Sequence, residues 1–199
     1  MKILDLGTDS ENRVKLEEIK ISLGKNFPKA KIIIPDGSHE IISLGLDGCD
    51  INIRLDPNTI PLKDNSIDLI WSRGFFEHIE NVYKVMEDCW RILKPNGILI
   101  INTPHFSSAG AHYVFDHKSF WGYSSLIPWL AGEYRFEPTF LAKMKFKRLG
   151  TKLFFLKPYR YLGLSWLFNR FPIFYEKFLC WIFPALEINF LFQKQERER

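Results

Sequence analysis

Three histidines stand where an imidazole could take part in chemistry: His105, directly after the apolar run ILIIN in TPHFSS; His78 in FFEHI; and His117 in the pair Asp116-His117. An imidazole titrates near neutral pH, so each suits a general base or a group that orients a substrate. Glu77 beside His78 reads as a cap or an orienting acceptor, not as a reacting group. A second set of polar residues collects where apolar runs end: Asp5, Gly7 and Thr8 around the end of KILDL, Asp47 after ISLGL, Asp56 after INIRL, and Ser72 after IDLIW. Polar side chains gathered at run ends predict a pocket. Three cysteines (Cys49, Cys89, Cys180), far apart and odd in number, give neither a disulfide framework nor metal-ligand spacing, so no metal site is assigned.

The elements that must position these groups follow from patterning. KILDL reads as a central strand ending at Gly7, and SENRVKLEEIKISLGKN as a helix on the weak stripe Val14, Leu16, Ile19 and Leu23. KIIIPDGSHEII reads as two β-branched runs around a hairpin turn, leading into the strand ISLGLD. DINIRLD alternates as a strand until Pro57-Asn58, and an apolar run spans Ile67 to Trp71. Val82, Val85, Met86, Cys89, Ile92 and Leu93 recur at offsets of three and four, which predicts a helix. Lys94-Pro95-Asn96-Gly97 ends it, with the glycine free to take positive φ. ILIIN is a buried strand, FKRLGTKLFFL a strand or hairpin, YLGLSWLFNRFPIFYEKFLCWIF a broken helical region, and EINFLFQKQ a last strand. Strands that are apolar throughout, alternating with helices, indicate an α/β sheet covered on both faces, with ligands at the carboxyl edge.

The chain of 199 residues suits one domain, over 1–193, with a disordered tail at 194–199. Its net charge of +4 is unevenly spread: residues 1–137 hold 15 Lys+Arg against 19 Asp+Glu, whereas 138–175 hold 8 Lys+Arg and no acid. That basic stretch, which includes Lys145, Lys147 and Arg148, also carries eleven aromatic residues. It suits a substrate pocket, a surface lying on anionic lipid, or a nucleic-acid contact, and equally a core under a solvated face. No charged leader with an apolar run and cleavage site opens the chain, so a cytoplasmic protein is expected, with membrane association through the basic stretch.

ILDLG, LGLD, LDPNTIPLKDNSIDLIWSRGFFEHI, WRILKPNG and ILIINTPHFSS, in this order and spacing, resemble the class I S-adenosylmethionine-dependent methyltransferases of the type 11 branch. The resemblance extends through FDHKSFWGYSS and IFPALEINF. It implies a Rossmann-like seven-stranded sheet, mostly parallel with the last strand antiparallel, and helices on both faces. It implies S-adenosylmethionine bound across the carboxyl edge by Asp5, Gly7, Thr8, Asp47, Asp56 and Ser72, with Asp47 on the ribose hydroxyls, since a carboxylate accepts two O–H groups at once. Asp56 would approach the adenine amino group and Ser72 the methionine portion. The family's second glycine after the first strand is replaced by Asp9, near where the cofactor's own carboxylate would lie. His105, His78 and His117 become the catalytic candidates for methyl transfer to an oxygen or nitrogen of a small-molecule, lipid-linked or glycan-linked acceptor. Two alternatives stand beside it: a non-catalytic module that keeps the fold, and a membrane-surface or nucleic-acid binding protein using 138–175. Nucleic acid ranks behind the small molecule and the membrane.

Overall fold

The computed structural model describes residues 1–9, 11–35, 37–55, 58–126 and 144–195. Seven strands, β1 (Lys2–Leu6), β2 (Glu40–Gly45), β3 (Ile51–Asn52), β4 (Ile67–Arg73), β5 (Leu93–Pro104), β6 (Phe146–Phe154) and β7 (Glu187–Lys194), form one sheet in the order β3-β2-β1-β4-β5-β7-β6. β1 pairs in parallel with β2 and β4, β2 with β3, and β4 with β5; β7 runs antiparallel between β5 and β6. This is the sheet expected from the sequence. It brings the ends of β1, β2 and β4 side by side, with Leu6 in register with both Leu44 and Ser72.

Both sheet faces are buried, as the unbroken apolar strands require. One face packs Ile3, Leu69, Trp71, Ile100 and Leu191 against Ile19 and Leu23 of α1 (Leu16–Asn26). The other packs Leu4, Ile70, Leu99 and Ile101 against Val85, Met86, Cys89 and Ile92 of α2 (Val82–Ile92), and extends to Phe168 and Tyr175. Each such aliphatic side chain contributes about 1.5–3 kcal/mol on burial. Asn81 caps α2 by accepting from the Lys84 amide at 3.1 Å. Near the end of the helix Asp88 receives the Ile60 amide at 2.9 Å and Arg91 at 2.8 Å, which ties the 60–64 loop to α2.

After β5 come α3 (Gly110–Tyr113), α4 (Lys157–Tyr161), α5 (Leu164–Arg170) and α6 (Pro172–Phe178); Pro172 starts α6, which separates the two halves of the broken helical region.

Four expectations are corrected. Residues 31–35 form no strand: Ile32 and Ile34 pack as side chains beside α1, and Ile33 between them is 84% exposed. The strand at 50–56 shrinks to the two-residue edge β3. In the Lys94–Gly97 link the positive φ (62°) belongs to Asn96; Gly97 is needed because a Cβ there would lie 2.8 Å from the Lys94 carbonyl oxygen. Lys194 is not tail but the buried end of β7, with Nζ donating to Asn65 Oδ1 at 2.8 Å.

Candidate functional site at the carboxyl edge of the sheet

The turn after β1 is built by close approach. Gly7 has φ 83° and donates its amide to the Leu44 carbonyl at 2.7 Å, and a Cβ on it would fall 2.3 Å from Phe75. At the end of β2, a Cβ on Gly45 would fall 1.9 Å from the Thr8 carbonyl oxygen, which also accepts from Cys49 Sγ at 3.2 Å. Only glycine fits either place. Asp5 departs from its expected role. Its carboxylate is buried and accepts the Val14 amide at 2.7 Å, so it holds the loop from below, and burial raises its pKa. Thr8 is likewise committed locally, its hydroxyl donating to the Asp9 carbonyl at 3.3 Å.

Asp9 turns its carboxylate into its own loop. Oδ1 accepts the Glu11 and Asn12 amides at 2.9 and 2.8 Å, and Asn12 Nδ2 reaches both oxygens. The Asn12 bonds hold its pKa below the usual value. The residue in the second-glycine position is therefore an Asx-type turn former on the surface.

Asp47 is exposed beyond the end of β2, with Oδ1 on the Gly48 amide at 2.8 Å. Asp50 fixes this turn by accepting from the Ser43 amide and hydroxyl at 2.9 and 2.8 Å, and those two bonds lower its pKa. Ser72 at the end of β4 is fully buried, and its hydroxyl oxygen has no hydrogen-bond partner among the described residues. Asp56 lies outside the described residues. An open carboxylate at β2 and an orphaned hydroxyl at β4, flanking the glycine turn of β1, suit a ligand that carries hydroxyls and a polar amino-acid end.

The histidines separate into two places. His105 has no exposed surface; Nδ1 receives the Ser107 amide at 3.2 Å and lies 2.8 Å from Ser107 Oγ, while Nε2 lies 3.1 Å from Glu176 Oε1 on α6. Because Nδ1 accepts an amide, the proton sits on Nε2 and points to the carboxylate. With both nitrogens engaged, His105, expected as a base, bridges the β5 loop and α6.

His78 and His117 come together instead, with ring centres 4.8 Å apart. The Lys118 and Ser119 amides both donate to the Glu77 carbonyl, which locks the two segments to each other. His117 Nδ1 donates to the Ala111 carbonyl at 3.2 Å, so its Nε2 carries the lone pair, and His78 Nδ1 lies 3.0 Å from Asp116 Oδ2. Glu77 is buried beside them with Oε2 on the Thr103 hydroxyl at 3.1 Å; burial raises its pKa against that bond and the nearby rings. Ligand atoms of Glu77, His78 and His117 lie within 4.8 Å of one another, close enough for a proton relay or, after small rotations, one divalent ion. Thirty-nine positions separate the two histidines, so spacing along the chain gave no sign of this group.

Residues 26–101 match the family model described as methyltransferase domain. Over 83 residues the chain is 36% identical to the malonyl-[acyl-carrier protein] O-methyltransferase of Methylococcus capsulatus, covering 39% of this chain and 30% of that protein. Over residues 26–101, less than half of the chain, the sequence is thus similar to the methyltransferase domain of the type 11 branch. A 50-residue match, also 36% identical, links this domain to the glycine/sarcosine/dimethylglycine N-methyltransferase of Actinopolyspora halophila, over 25% of this chain and 9% of that one. The matches thus span less than a third of these relatives' lengths. Among solved structures, a SAM dependent methyltransferase from Archaeoglobus fulgidus superposes with TM-score 0.56 at 14% identity, over 97% of this chain and 86% of that one. The [4+2]-cyclase SpnF superposes with TM-score 0.53 at 13% identity, over 98% and 75%. A likeness that includes a cyclase speaks for the fold, and the chemistry has to be argued from the site. The cofactor of a methyltransferase domain is S-adenosylmethionine, and the edge formed by Gly7, Asp47 and Ser72 fits it.

Residues that sequence reading missed lie on α6, just after it, and in the segment after β5: Glu176, Trp181, Phe106 and Phe120. The IFPALEINF resemblance pointed to this region without singling them out.

Proposed function

We propose that the protein is an S-adenosylmethionine-dependent methyltransferase acting on a small-molecule acceptor. The observation that carries this reading is the type 11 domain match over β2 to β5 together with the glycine turn, open carboxylate and orphaned hydroxyl at the edges of β1, β2 and β4. Asp47 would hold the ribose hydroxyls, Gly7 would let the backbone approach, and Ser72 would meet the methionine end. When bound, the cofactor supplies an electrophilic methyl group on sulfur. The protein then has to align an acceptor atom and remove its proton. We assign the proton to His117 Nε2, whose lone pair is fixed by the Nδ1 bond to Ala111, with His78 and buried Glu77 as its neighbours. Calorimetry with S-adenosylmethionine and S-adenosylhomocysteine tests the reading: both should bind, and Asp47→Ala should weaken both without lowering the melting temperature. No binding of either at millimolar concentration would favour the non-catalytic module.

A second observation supports the membrane reading of the basic aromatic region and relocates it. Lys145, Lys147 and Arg148 belong to the end of the chain before and within β6, and Arg148 lies over the Tyr123 ring at 4.5 Å and donates to its carbonyl. A dense cluster of exposed rings and cations lies on α4 to α6. Tyr161, Trp166, Phe171, Phe174 and Phe178 stand in solvent beside exposed Lys157, Arg160, Arg170 and Lys177, and the single acid between 157 and 182, Glu176, is turned inward. Rings with interleaved cations suit an anionic lipid surface. No helix of the described residues is long and apolar enough to cross a membrane. Cosedimentation with vesicles containing phosphatidylserine should fall with salt and with Arg160→Glu/Arg170→Glu; binding that ignores both would remove this reading.

A further inference from the structure

The segment after β5 and α6 line an open hollow of about 370 Å³ that the assignments above leave unused. Its walls include Phe106, Phe120, Trp181 and His112, with Glu176 and the Gly122 backbone among the other surfaces. Phe106 and Trp181 meet edge to face at 5.6 Å, and His112 stacks on Phe120 at 4.9 Å. Gly122 is required here, since a Cβ would come within 2.9 Å of the Phe106 ring and 3.0 Å of Glu176 Oε1. Ring and carboxylate are thus closed down onto bare backbone.

The charge of Glu176 is the deciding feature. Its side-chain partners among the described residues are the Tyr123 amide, which is neutral, and His105 Nε2. His105 accepts the Ser107 amide at Nδ1 and the Ser107 hydroxyl in turn accepts the Ala185 amide at 3.1 Å, so the imidazole is neutral and cancels no charge. Two donors fix the carboxylate in place while its full negative charge stays in an aromatic hollow. No Lys or Arg is among the described residues lining it. Aromatic faces carry partial negative charge and attract cations, worth about 0.5–2 kcal/mol per well-placed ring. Anions are repelled twice over, and a neutral ligand would leave the charge without a counterpart.

We propose that this hollow binds an alkylammonium group, and that the acceptor carries such a group as its anchoring part. The second half of the statement rests on the methyltransferase reading; the first does not. The hollow's size lies within the range of small-molecule sites. His105 is then a positioning residue: it touches no ligand and holds Glu176.

The test titrates the full chain with choline and with its uncharged isostere 3,3-dimethylbutan-1-ol. Choline should bind at least tenfold more tightly than the alcohol. Glu176→Gln keeps an acceptor for Tyr123 and His105 and should abolish that tenfold preference; Trp181→Ala, at a residue 71% exposed, should weaken choline about tenfold. The proposal fails if the alcohol binds as well as choline, if methyl glucoside binds more tightly than both, if folded wild-type protein gives no choline binding, or if both variants bind choline unchanged. Should Glu176→Gln not fold, Trp181→Ala decides alone. The same samples are titrated with S-adenosylmethionine: choline binding without cofactor binding overturns the transferase reading and leaves the hollow, and the reverse overturns the hollow alone.

Discussion

The two sides of the site are made in opposite ways. On the β1–β2–β4 side the chain removes side chains: Gly7 and Gly45 let Phe75 and the Thr8 carbonyl pack where a Cβ would otherwise stand, and the polar groups left are a surface Asp47 and a buried Ser72 hydroxyl. On the β5–α6 side it adds them, with rings around a carboxylate fixed by His105 and the Tyr123 amide. The first side is rigid because backbone lies on backbone. The second is rigid because a buried imidazole bridges a loop and a helix 71 positions away. Damage should therefore look different: small additions should break the first, and loss of a polar partner should break the second.

The largest expected effect is Gly45→Ala. The new Cβ would meet a backbone oxygen at 1.9 Å, which neither strand can relieve alone, and a loss of about 3 kcal/mol with displacement of the β1 turn is expected in chemical denaturation. His105→Ala comes next, at about 2–3 kcal/mol, because it leaves the Ser107 amide and the Glu176 carboxylate short of a partner inside the fold; His105→Gln should recover part of that. Asp47→Ala should leave stability unchanged and weaken cofactor about tenfold to a hundredfold by calorimetry, which separates binding from folding on the first side.

A smaller effect tests the buried carboxyl under the first turn. Burial raises the Asp5 pKa, so the folded chain holds this proton more strongly than the unfolded one. Stability from this group is then highest below the ordinary carboxyl pKa and declines as pH rises through the raised value. Asp5→Asn keeps an acceptor for the Val14 amide and removes the decline, so its melting temperature should gain on wild type between pH 4 and 7. The smallest effect belongs to Asp9→Asn, whose side chain can still cap Glu11 and Asn12; cofactor affinity should change less than threefold.

The same contrast explains what could be read from the chain. The run ends and the glycine turn follow from local pattern, and the mostly parallel sheet with an antiparallel last strand follows from the family resemblance. Asp5 shows the limit: its position at the end of a strand is visible in sequence, but the alternation of strand faces and the Val14 amide decide that it points down into the fold. The hairpin at 31–42 failed for a related reason: its second run pairs in parallel with β1, and Ile32 and Ile34 of its first run pack on the cluster around Ile19 and Leu23 instead. Nothing local links His105 to Glu176 or His78 to His117. Those pairs exist because the loop after β5 folds against both the turn after β4 and α6, and long-range closure leaves no periodic trace.

A crystal structure with S-adenosylhomocysteine tests the central claim most directly. The ribose hydroxyls should lie within about 2.6–3.2 Å of the Asp47 carboxylate, the amino-acid end should lie by Ser72, and Asp9 should still hold the Glu11 and Asn12 amides. Product bound away from the ends of β1, β2 and β4, or an Asp9 carboxylate swung into the cleft against it, would contradict the account.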